Sequence, residues 1–334
     1  MAKALSSQSV AVEWLGTARG IENRVVPEAE IPLHHIEVQG LRGKGIMKLI
    51  LAPFLLLKAL SQALKILRKQ RPDMVLGFGG FASGPGGLAA FILRIPLLIH
   101  EQNAVAGTTN RLLSRLANKV LCAFPAAFVG AEHVGNPVRE EIVALANKPL
   151  ETATEQARNV LILGGSLGAQ AINEILPQAL VKLHGSTPLN IRHQAGQAHE
   201  EATKNLYHSL ALSGEVTAFI ADMAEAYQWA DLVICRAGAL TVSELTAAGV
   251  ASVLIPYPHA IDDHQTKNAQ WLVENGAAEM YAQASLTPEK MHRVIKHLVN
   301  DVNTLNSMAE RARNLALPDA ANQVASICME MING

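Results

Sequence analysis

The feature that most constrains the fold is a regular alternation of short, apolar, β-rich runs with helical patterns. The runs are VAVEWL (10–15), DMVLGF (73–78), PLLIHE (96–101), KVLCAF (119–124), NVLILGG (159–165), DLVICRAG (231–238) and ASVLIP (251–256). Such alternation is typical of βαβ units, in which neighbouring strands run parallel and helices cover the sheet. The sequence therefore predicts an α/β fold with parallel sheets.

The length of the chain and a break in this rhythm indicate two domains. A chain of 334 residues exceeds one ordinary core of roughly 100–200 residues. The segment 134–158 is polar, carries a turn and a short helix, and interrupts the strands as a linker would. We predict a first domain over 1–138 and a second over 139–317. We expect the C-terminal helix, 318–334, to join the first domain, although periodicity alone does not fix its destination.

Charge and cysteine content exclude several classes of protein. Lys plus Arg total 28 against 29 acidic residues, so no overall field attracts nucleic acid, and an anion site must be built locally. Cys122, Cys235 and Cys328 are isolated and lack metal-type spacing, which indicates buried thiols in a reducing cytoplasm. The N-terminus is unlike a signal peptide, and no apolar run reaches the ~18 residues that cross a bilayer.

Two segments join a strand to a helix through a glycine-rich turn, at 76–93 and at 161–176. Glycines let a ligand approach the backbone, and the start of the following helix favours an anion such as a diphosphate. Each turn is equally consistent with tight packing of strand and helix. Neither fits the dinucleotide fingerprint or the P-loop, which weakens dehydrogenase and NTPase interpretations. Ser166 would either add a hydroxyl to the site or cap its helix.

The strongest local pattern is the segment 234–269, where two successive strands each end in polar residues that open a helix. In open α/β sheets such strand ends share one ligand crevice. Glu244 is either a first-turn acid that complements the helix dipole or a carboxylate that accepts two hydrogen bonds from ribose hydroxyls. We interpret Asp262 and Asp263 as helix-capping acids and not as metal ligands. The histidines near the proposed cleft, which we leave without a catalytic role, are His100, His259 and His264.

Several motifs, taken in order, resemble one known family. They are WLGTARGIENRVVP, GLRGKG, GFGGFASGPGG, HEQN, VGNPVR, GGSLGAQ, the segment from GALTVSE to DDHQTKNA, and MAERAR. The chain is identified by them as a member of the MurG family, and they span nearly its whole length. The resemblance implies a GT-B fold, with two Rossmann-like domains whose parallel sheets face a central cleft. It also implies inverting transfer of N-acetylglucosamine from UDP-GlcNAc to the C4 hydroxyl of undecaprenyl-pyrophosphoryl-MurNAc-pentapeptide, which converts lipid I to lipid II in peptidoglycan synthesis.

The resemblance also implies a UDP-GlcNAc site, without a metal or other cofactor. Its residues are Asn103, Arg139, Ser166, Ile220, Ala239, Leu240, Thr241, Val242, Ser243, Glu244 and Gln265. In such sites Ile220 offers backbone groups to the uracil, Glu244 holds the ribose and Ser166 faces the diphosphate. Gln265 and Ala239 meet the sugar, and Arg139 is the donor-side cation.

Family members begin with a strand and a loop resembling GGTGGH, whose histidine is the suspected catalytic base. We find neither in this sequence, and MAKAL matches the middle of the helix that follows that loop. Roughly 20–30 residues are then absent, through a misassigned start codon or a truncated chain. The expected histidine lies upstream of Met1, so the catalytic residue is unknown. We expect open strand edges in the first sheet and a poorly stable, nearly inactive chain.

A lipid-linked acceptor implies contact with a membrane. The stretch 41–71 combines a strongly apolar run with basic residues that include Lys44, Lys48, Lys58, Lys65, Arg68 and Lys69, and Pro53 breaks it. A helix that simply covers the sheet would explain the pattern equally well. We expect a peripheral patch on an anionic membrane surface, formed by Ile46, Leu49, Ile50 and Phe54 with basic neighbours. The resemblance places the protein at the cytoplasmic face of the bacterial inner membrane, allows cell-wall synthesis proteins as partners, and links it to cell shape and division.

Two other functions fit parts of this pattern. A GT-B-type UDP-sugar epimerase would use the same donor without a lysine-rich apolar patch or a polyprenol acceptor. A non-catalytic UDP-sugar-binding scaffold is the second alternative, because the N-terminal glycine loop is absent. Free UDP that appears only when acceptor is present would distinguish transfer from both.

Overall fold

The computed structural model describes the chain except for residues 19, 39–45, 126, 147–156, 166–167, 184–186 and 334, and for the side chains of 46–52 and 261. The described chain divides into two compact units. Unit 1 comprises Met1–Pro137 with Asp319–Gly334, and unit 2 comprises Val138–Pro318. The division therefore falls between Pro137 and Val138, where the sequence placed it at Arg139.

The described part of unit 1 contains six short strands, each parallel to its neighbours. They are β1 (Trp14–Gly16), β2 (Leu33–His35), β3 (Val75–Gly77), β4 (Leu97–Glu101), β5 (Lys119–Cys122) and β6 (Glu132–His133). β1 pairs with β2, while β3, β4, β5 and β6 form a four-stranded sheet in that order. In the described residues, β1 and β3 thus each have one edge without a strand partner.

The N-terminal part of unit 1, up to Leu113, contains five helices in the described residues. They are α1 (Ala2–Ser6), α2 (Glu22–Glu28), α3 (Ile46–Gln70), α4 (Gly80–Leu93) and α5 (Thr108–Leu113). α4 packs against both β1 and β3. One apolar core accordingly joins Leu15 and Val75 of these strands to Ala63 of α3 and Ala89 of α4. The C-terminal helix, Ala320–Asn333, also belongs to unit 1, where Val324 and its neighbours pack on α1, β4 and β5.

The first predicted strand, glycine turn and helix are confirmed, because β3 ends at Gly77, Phe78 and Gly79 form the turn, and α4 begins at Gly80. Gly84, Gly86 and Gly87 lie inside α4. A Cβ atom at Gly86 would lie 2.9 Å from Cδ2 of Leu15, and one at Gly87 would lie 2.7 Å from Cδ1 of Leu113. Glycine in a helix costs about 0.5–1 kcal/mol relative to alanine, and close packing explains why it is present here.

The described part of unit 2 contains one six-stranded parallel sheet. Its strands are β7 (Arg158–Leu163), β8 (Leu189–Gln194), β9 (Glu215–Thr217), β10 (Leu232–Cys235), β11 (Ala251–Leu254) and β12 (Ala278–Met280). Their order across the sheet is β12-β11-β10-β7-β8-β9. This is the doubly wound order of Rossmann folds, with the direction of winding reversed between β7 and β10. Ligands of such sheets bind beyond the carboxyl ends of the strands at that switch point.

Helices cover both faces of this sheet. They are α6 (Glu140–Ala146), α7 (Gln170–Leu180), α8 (Glu200–Ser209), α9 (Met223–Trp229), α10 (Ala239–Ala248), α11 (His264–Glu274), α12 (Pro288–Asn300) and α13 (Val302–Asn314). On one face, Ile172 and Leu176 of α7 pack with Ile295 of α12 over Ile162 and Val253 of the strands. Three of the described helices have a side-chain cap at the N-terminus. Asp222, Thr287 and Asp301 accept from backbone N–H groups of α9, α12 and α13.

The segment that we interpreted as a linker contributes helix α6 to unit 2. Ile142 and Leu145 of this helix are buried, and α6 packs against α10. Arg313 donates hydrogen bonds to the carbonyls of Ala146 and Ala248, at the ends of α6 and α10, over 2.9 and 2.6 Å. The short helix predicted in this segment is therefore α6, and the boundary between the two units lies near the start of the segment.

Candidate functional site

Most of the predicted site residues of unit 2 lie at one edge of its sheet. All six strands run parallel, so their carboxyl ends meet at that edge. The residues concerned are Ile220 after β9, the run Ala239, Leu240, Thr241, Val242, Ser243 and Glu244 after β10, and Gln265 after β11. Arg139, just before α6, joins them through its contact with Glu244. Ser166 lies outside the described residues.

Helix α10 carries the central part of this edge. It begins at Ala239, and its N-cap residue is Gly238, whose lack of a side chain leaves the helix without a side-chain cap. Leu240 is exposed, Val242 is buried, and the Ser243 hydroxyl donates to the Ala239 carbonyl within the helix. The N-terminus of α10 therefore has no side-chain cap, and helix N-termini favour anions.

Glu244 is the sixth residue of α10, beyond its first turn. The interpretation of Glu244 as a first-turn acid that complements the dipole is therefore wrong, because that effect fades within one turn. Its side chain is only 13% exposed, yet Arg139 Nε and Nη2 donate to its Oε1 over 3.3 and 2.9 Å. The Tyr227 hydroxyl donates to its Oε2 over 3.0 Å. A part-buried carboxylate whose two oxygens both accept hydrogen bonds is held in one orientation.

Two groups that interact with the charge of Glu244, the Tyr227 hydroxyl and the Cys235 thiol, stay protonated. Burial, followed by the charge of Glu244, raises the pKa of the Tyr227 hydroxyl well above its ordinary value, so this group acts as a donor. Burial and the same charge raise the pKa of the Cys235 thiol to about 12. Cys235 is therefore an unreactive thiol. All three cysteines are free and buried, as the sequence predicted.

The loop that carries Ile220 is fixed by the end of the neighbouring strand. The Ile220 N–H donates to Oε1 of Gln194 over 3.1 Å, and Gln194 is the last residue of β8. Phe219 beside it is 62% exposed. An exposed aromatic ring next to ordered backbone groups is suited to a flat heterocycle.

After β11, Gln265 and Tyr257 are connected by a hydrogen bond. Oε1 of Gln265 accepts from the Tyr257 N–H over 2.9 Å, so its Nε2 group is the end that can donate to a ligand. The Arg236 guanidinium lies 5.6 Å from the centre of the Tyr257 ring and donates to the carbonyls of Ile255 and Pro256. Asn268, fully buried, donates to the Ala237 carbonyl. These contacts fix the ends of β10 and β11 together.

The second glycine-rich turn follows β7. Gly165 and Gly168 have φ angles of 76° and 78°, which only glycine adopts without strain. A Cβ at Gly164 would lie 3.0 Å from both the Ala169 nitrogen and the Gln194 carbonyl oxygen. Among the described residues other than its chain neighbours, no heavy atom lies within 4 Å of the corresponding position at Gly165. The turn is therefore packed tightly on one side and open at Gly165.

A buried polar network lies beneath this turn. Asn173 donates through Nδ2 to the Ala195 carbonyl, and its Oδ1 is 3.0 Å from Nε2 of His193. Nε2 must carry the proton, because Oδ1 can only accept. Nδ1 of His193 then accepts from the Tyr207 hydroxyl over 3.1 Å. Burial lowers the pKa of His193 to about 3, so the ring is neutral, and the network defines its tautomer.

Asn103 belongs to unit 1. Its N–H and Nδ2 donate to Oε1 of Glu101 over 2.9 and 3.2 Å, and Oε2 accepts from Gly107 and Asn110. The buried Glu101 carboxylate thus shapes the loop after β4. His100 lies within β4, fully buried, with Nε2 2.8 Å from the Gly135 carbonyl oxygen, and burial lowers its pKa. It is a strand residue, as the run PLLIHE (96–101) predicted.

Asp263, the second of the two aspartates before α11, lies at the predicted capping position but does not make the predicted capping contact. Asp263 occupies the N-cap position with a φ of 53°, but its side chain makes no capping bond to the helix backbone. Its Oδ1 accepts from the Thr266 hydroxyl over 2.6 Å. Among the described residues, no group of three or more His, Cys, Asp or Glu side chains could hold a metal ion. Backbone capping by Asp263 is therefore a wrong prediction.

Comparison with known proteins agrees with this architecture. Residues 1–122 match the glycosyltransferase family 28 N-terminal domain, and residues 159–324 match the glycosyltransferase family 28 C-terminal domain. A Cellvibrio japonicus protein is 52% identical over 341 residues, which cover 100% of this chain and 94% of that protein. It is named UDP-N-acetylglucosamine--N-acetylmuramyl-(pentapeptide) pyrophosphoryl-undecaprenol N-acetylglucosamine transferase. The crystal structure of Acinetobacter baumannii MurG is 45% identical, with a TM-score of 0.83 over 98% of this chain and 93% of that one.

The chain belongs to the MurG family. Its fold is accordingly of the GT-B type, with two Rossmann-like α/β domains, and its activity is that of a glycosyltransferase. A putative UDP-N-acetylglucosamine 2-epimerase from Listeria monocytogenes has a TM-score of 0.64 at 13% identity, over 93% of this chain and 86% of that one. That likeness extends to the fold alone, so the epimerase alternative is not favoured over the MurG family.

Sequence reasoning missed several residues that shape the site of this MurG-family chain. Tyr227 and Gln194 contact the predicted residues Glu244 and Ile220 directly, and His193 lies beneath the glycine turn. Gln194 had a usable signal, because it is a polar residue at the carboxyl end of an apolar strand, next to a glycine. Tyr227 had none, since an aromatic residue in a helix is ordinarily a core residue.

Proposed function

We propose that this chain transfers N-acetylglucosamine from UDP-GlcNAc to the C4 hydroxyl of undecaprenyl-pyrophosphoryl-MurNAc-pentapeptide, with inversion at the anomeric carbon. The observation that supports this best is the part-buried Glu244 carboxylate, held by Arg139 and Tyr227 beside the switch point of a Rossmann-type sheet. A carboxylate held there can accept from the hydroxyls of a ribose. The printed names of relatives about half identical to this chain supply the acceptor.

The proposed donor site follows the carboxyl edge of unit 2. Ile220 meets the uracil edge through its backbone, and Glu244 accepts from the ribose. Helix starts meet the diphosphate, with Ser166 at α7 and the run Leu240–Ser243 at α10. Gln265, through Nε2, and Ala239 meet the sugar. Asn103 of unit 1 is proposed as a further donor contact, and Arg139 supplies the cation.

These groups suit a direct displacement. The bond between the anomeric carbon and the diphosphate oxygen breaks, its electron pair leaves with UDP, and the acceptor oxygen forms the new bond from the opposite side. Negative charge grows on the diphosphate, where helix N-termini and Arg139 stabilise it. The C4 hydroxyl must lose its proton, and no described residue is assigned as the base.

We also propose that unit 1 docks on an anionic bilayer. Phe54 and Leu57 of α3 are 70% and 63% exposed, and Phe81 and Phe91 of α4, which packs against α3, are 60% and 50% exposed. Basic residues occupy the same α3 helix as far as Lys69. Apolar side chains beside basic ones favour the interface of anionic lipids. The side chains of Ile46, Leu49 and Ile50 lie outside the described residues.

None of the helices in the described part of the chain is both long and apolar enough to cross a bilayer. The proposal concerns a peripheral surface, from which the enzyme would reach its lipid-linked acceptor.

Transfer is tested by following UDP release and the sugar products together. The full chain is incubated with UDP-GlcNAc, with and without the lipid-linked MurNAc-pentapeptide acceptor. We expect free UDP and a disaccharide-linked lipid only when the acceptor is present. An altered UDP-sugar formed without acceptor would overturn transfer in favour of epimerisation, and UDP-GlcNAc binding without any product would favour a scaffold.

A further inference from the structure

The hydrogen-bond capacity of Glu244 is nearly filled in the structure. An ionised carboxylate offers about four acceptor positions, two on each oxygen. Arg139 occupies two of them on Oε1, through Nε and Nη2, and Tyr227 occupies one on Oε2. About one position therefore remains. Two vicinal ribose hydroxyls need two, so at least one present contact must be given up when a ribose binds.

Arg139 is the partner that can leave. Its side chain is 50% exposed, and it precedes the short helix α6, whereas Tyr227 is a buried residue inside α9. Breaking the Tyr227 contact would leave a buried hydroxyl without an acceptor, which costs about 1–3 kcal/mol. Breaking the Arg139 contact exposes its guanidinium to water, which solvates it readily. Arg139 leaves Oε1 at the lower cost.

We propose that Arg139 exchanges partners when nucleotide binds, pairing with Glu244 in the empty protein and with the diphosphate in the complex. The inference rests on the proposed function, in which Glu244 holds the ribose. A nucleoside gains the ribose contacts but offers the displaced guanidinium nothing in return. A nucleoside diphosphate offers it two adjacent phosphates, for which the planar guanidinium is well suited. The exchange selects phosphorylated nucleotides over free uridine.

The exchange predicts that one substitution moves two affinities in opposite directions. In Arg139→Gln the competitor for Oε1 is removed, so uridine should bind about threefold tighter, as expected for loss of a half-exposed ion pair. UDP should bind about tenfold more weakly, because its charge-assisted contact is lost. Titration calorimetry of the full chain with uridine and with UDP measures both. Lys182→Gln, which removes an exposed pair with Glu289 in the same unit and the same charge, should change neither affinity.

Each outcome decides the matter. If Arg139→Gln leaves uridine binding unchanged, or weakens uridine and UDP together, Arg139 is a fixed contact and the exchange is overturned, while the ribose role of Glu244 stands. A Glu244→Ala variant should weaken both ligands. If it weakens neither, the ribose role and the exchange are both overturned. Thermal unfolding of every variant establishes that the differences arise in folded protein.

Discussion

The Tyr227 hydroxyl donates a hydrogen bond of 3.0 Å to Oε2 of Glu244 and so ties helix α9 to helix α10. Tyr227 is buried, and Arg139 approaches the opposite oxygen from the exposed side. Glu244 is therefore held on Oε2 by a buried neutral donor and on Oε1 by a half-exposed cation.

Tyr227→Phe should weaken nucleotide binding through Glu244. The ring keeps its packing, but the carboxylate loses its rigid donor, and we expect about 1–3 kcal/mol lower stability with UDP affinity reduced about three- to tenfold. Tyr281→Phe is the matched control, because the Tyr281 hydroxyl donates to the carboxylate of Glu279 over 2.6 Å on β12. It should lower stability and leave UDP affinity intact. Equal UDP affinity in Tyr227→Phe and the native chain would contradict a positioning role for Tyr227.

The stability of unit 2 should depend on pH through His193. Burial lowers its pKa to about 3, below the 6.5 of an unfolded histidine, so between these values the unfolded chain binds one more proton than the folded one. The contribution of neutral His193 is thus complete above pH 6.5 and is lost as pH falls toward 3. The stability advantage of the native chain over His193→Gln should shrink by about 1.4 kcal/mol between pH 8 and pH 5.5.

Urea unfolding followed by tryptophan fluorescence measures this difference. A Trp14→Phe background removes the one tryptophan of unit 1, so that Trp229 and Trp271 report on unit 2. His208→Gln, which replaces an exposed histidine of helix α8, is the matched control for the loss of a histidine side chain. An advantage over His193→Gln that does not change with pH would show that His193 titrates normally in the fold.

Two glycines of helix α4 should respond to alanine in opposite ways. A Cβ at Gly87 would lie 2.7 Å from Leu113, so Gly87→Ala should destabilise unit 1 by about 1–3 kcal/mol. A Cβ at Gly84 would meet only Thr109 Cγ2, at 3.7 Å, so Gly84→Ala should add up to about 1 kcal/mol of helix stability. Hydrogen exchange of α4 amides measures both. Changes of the same sign would contradict a packing origin for these glycines.

Membrane docking should depend on the exposed apolar residues of α3 and α4. Phe54→Asp and Phe91→Asp should each reduce binding to phosphatidylglycerol vesicles about tenfold, because each removes a large apolar side chain from the interface and adds a negative charge. Val129→Asp, at a fully exposed site outside these helices, is the control. Sedimentation with vesicles of phosphatidylcholine, which has no net charge, measures the apolar contribution to binding without the attraction between basic residues and anionic lipid. Binding of both Phe variants indistinguishable from the native chain would contradict the proposed surface.

Sequence reasoning located the buried central strands well and the edge strands poorly. β4 (LLIHE), β7 (RNVLIL), β10 (LVIC) and β11 (ASVL) are nearly continuous buried runs, so their composition alone marks them. β8 (LNIRHQ) carries polar residues in four of its six positions and gave no such signal. In VAVEWL the strand begins only at Trp14, because an apolar run does not specify where pairing starts.

For the site, the sequence indicated which segments matter but not how their side chains meet. Arg139 and Glu244 are 105 residues apart, and no local pattern predicts their contact. The helical position of Glu244 depended on where α10 begins, and element boundaries are the least certain part of a sequence interpretation. The glycine-rich pattern at 76–93 indicated a strand, a turn and a helix, but it did not show that Gly86 and Gly87 let the helix pack closely on Leu15 and Leu113.

The ribose contact of Glu244 is tested most directly by comparing UDP with 2′-deoxy-UDP in the native chain and in Glu244→Ala, with dissociation constants measured by calorimetry. If Glu244 accepts from the ribose, removal of the 2′-hydroxyl should weaken binding about tenfold in the native chain, and by less than about twofold in Glu244→Ala. An equal penalty in both proteins, or none in the native chain, would show that the pentose is recognised elsewhere.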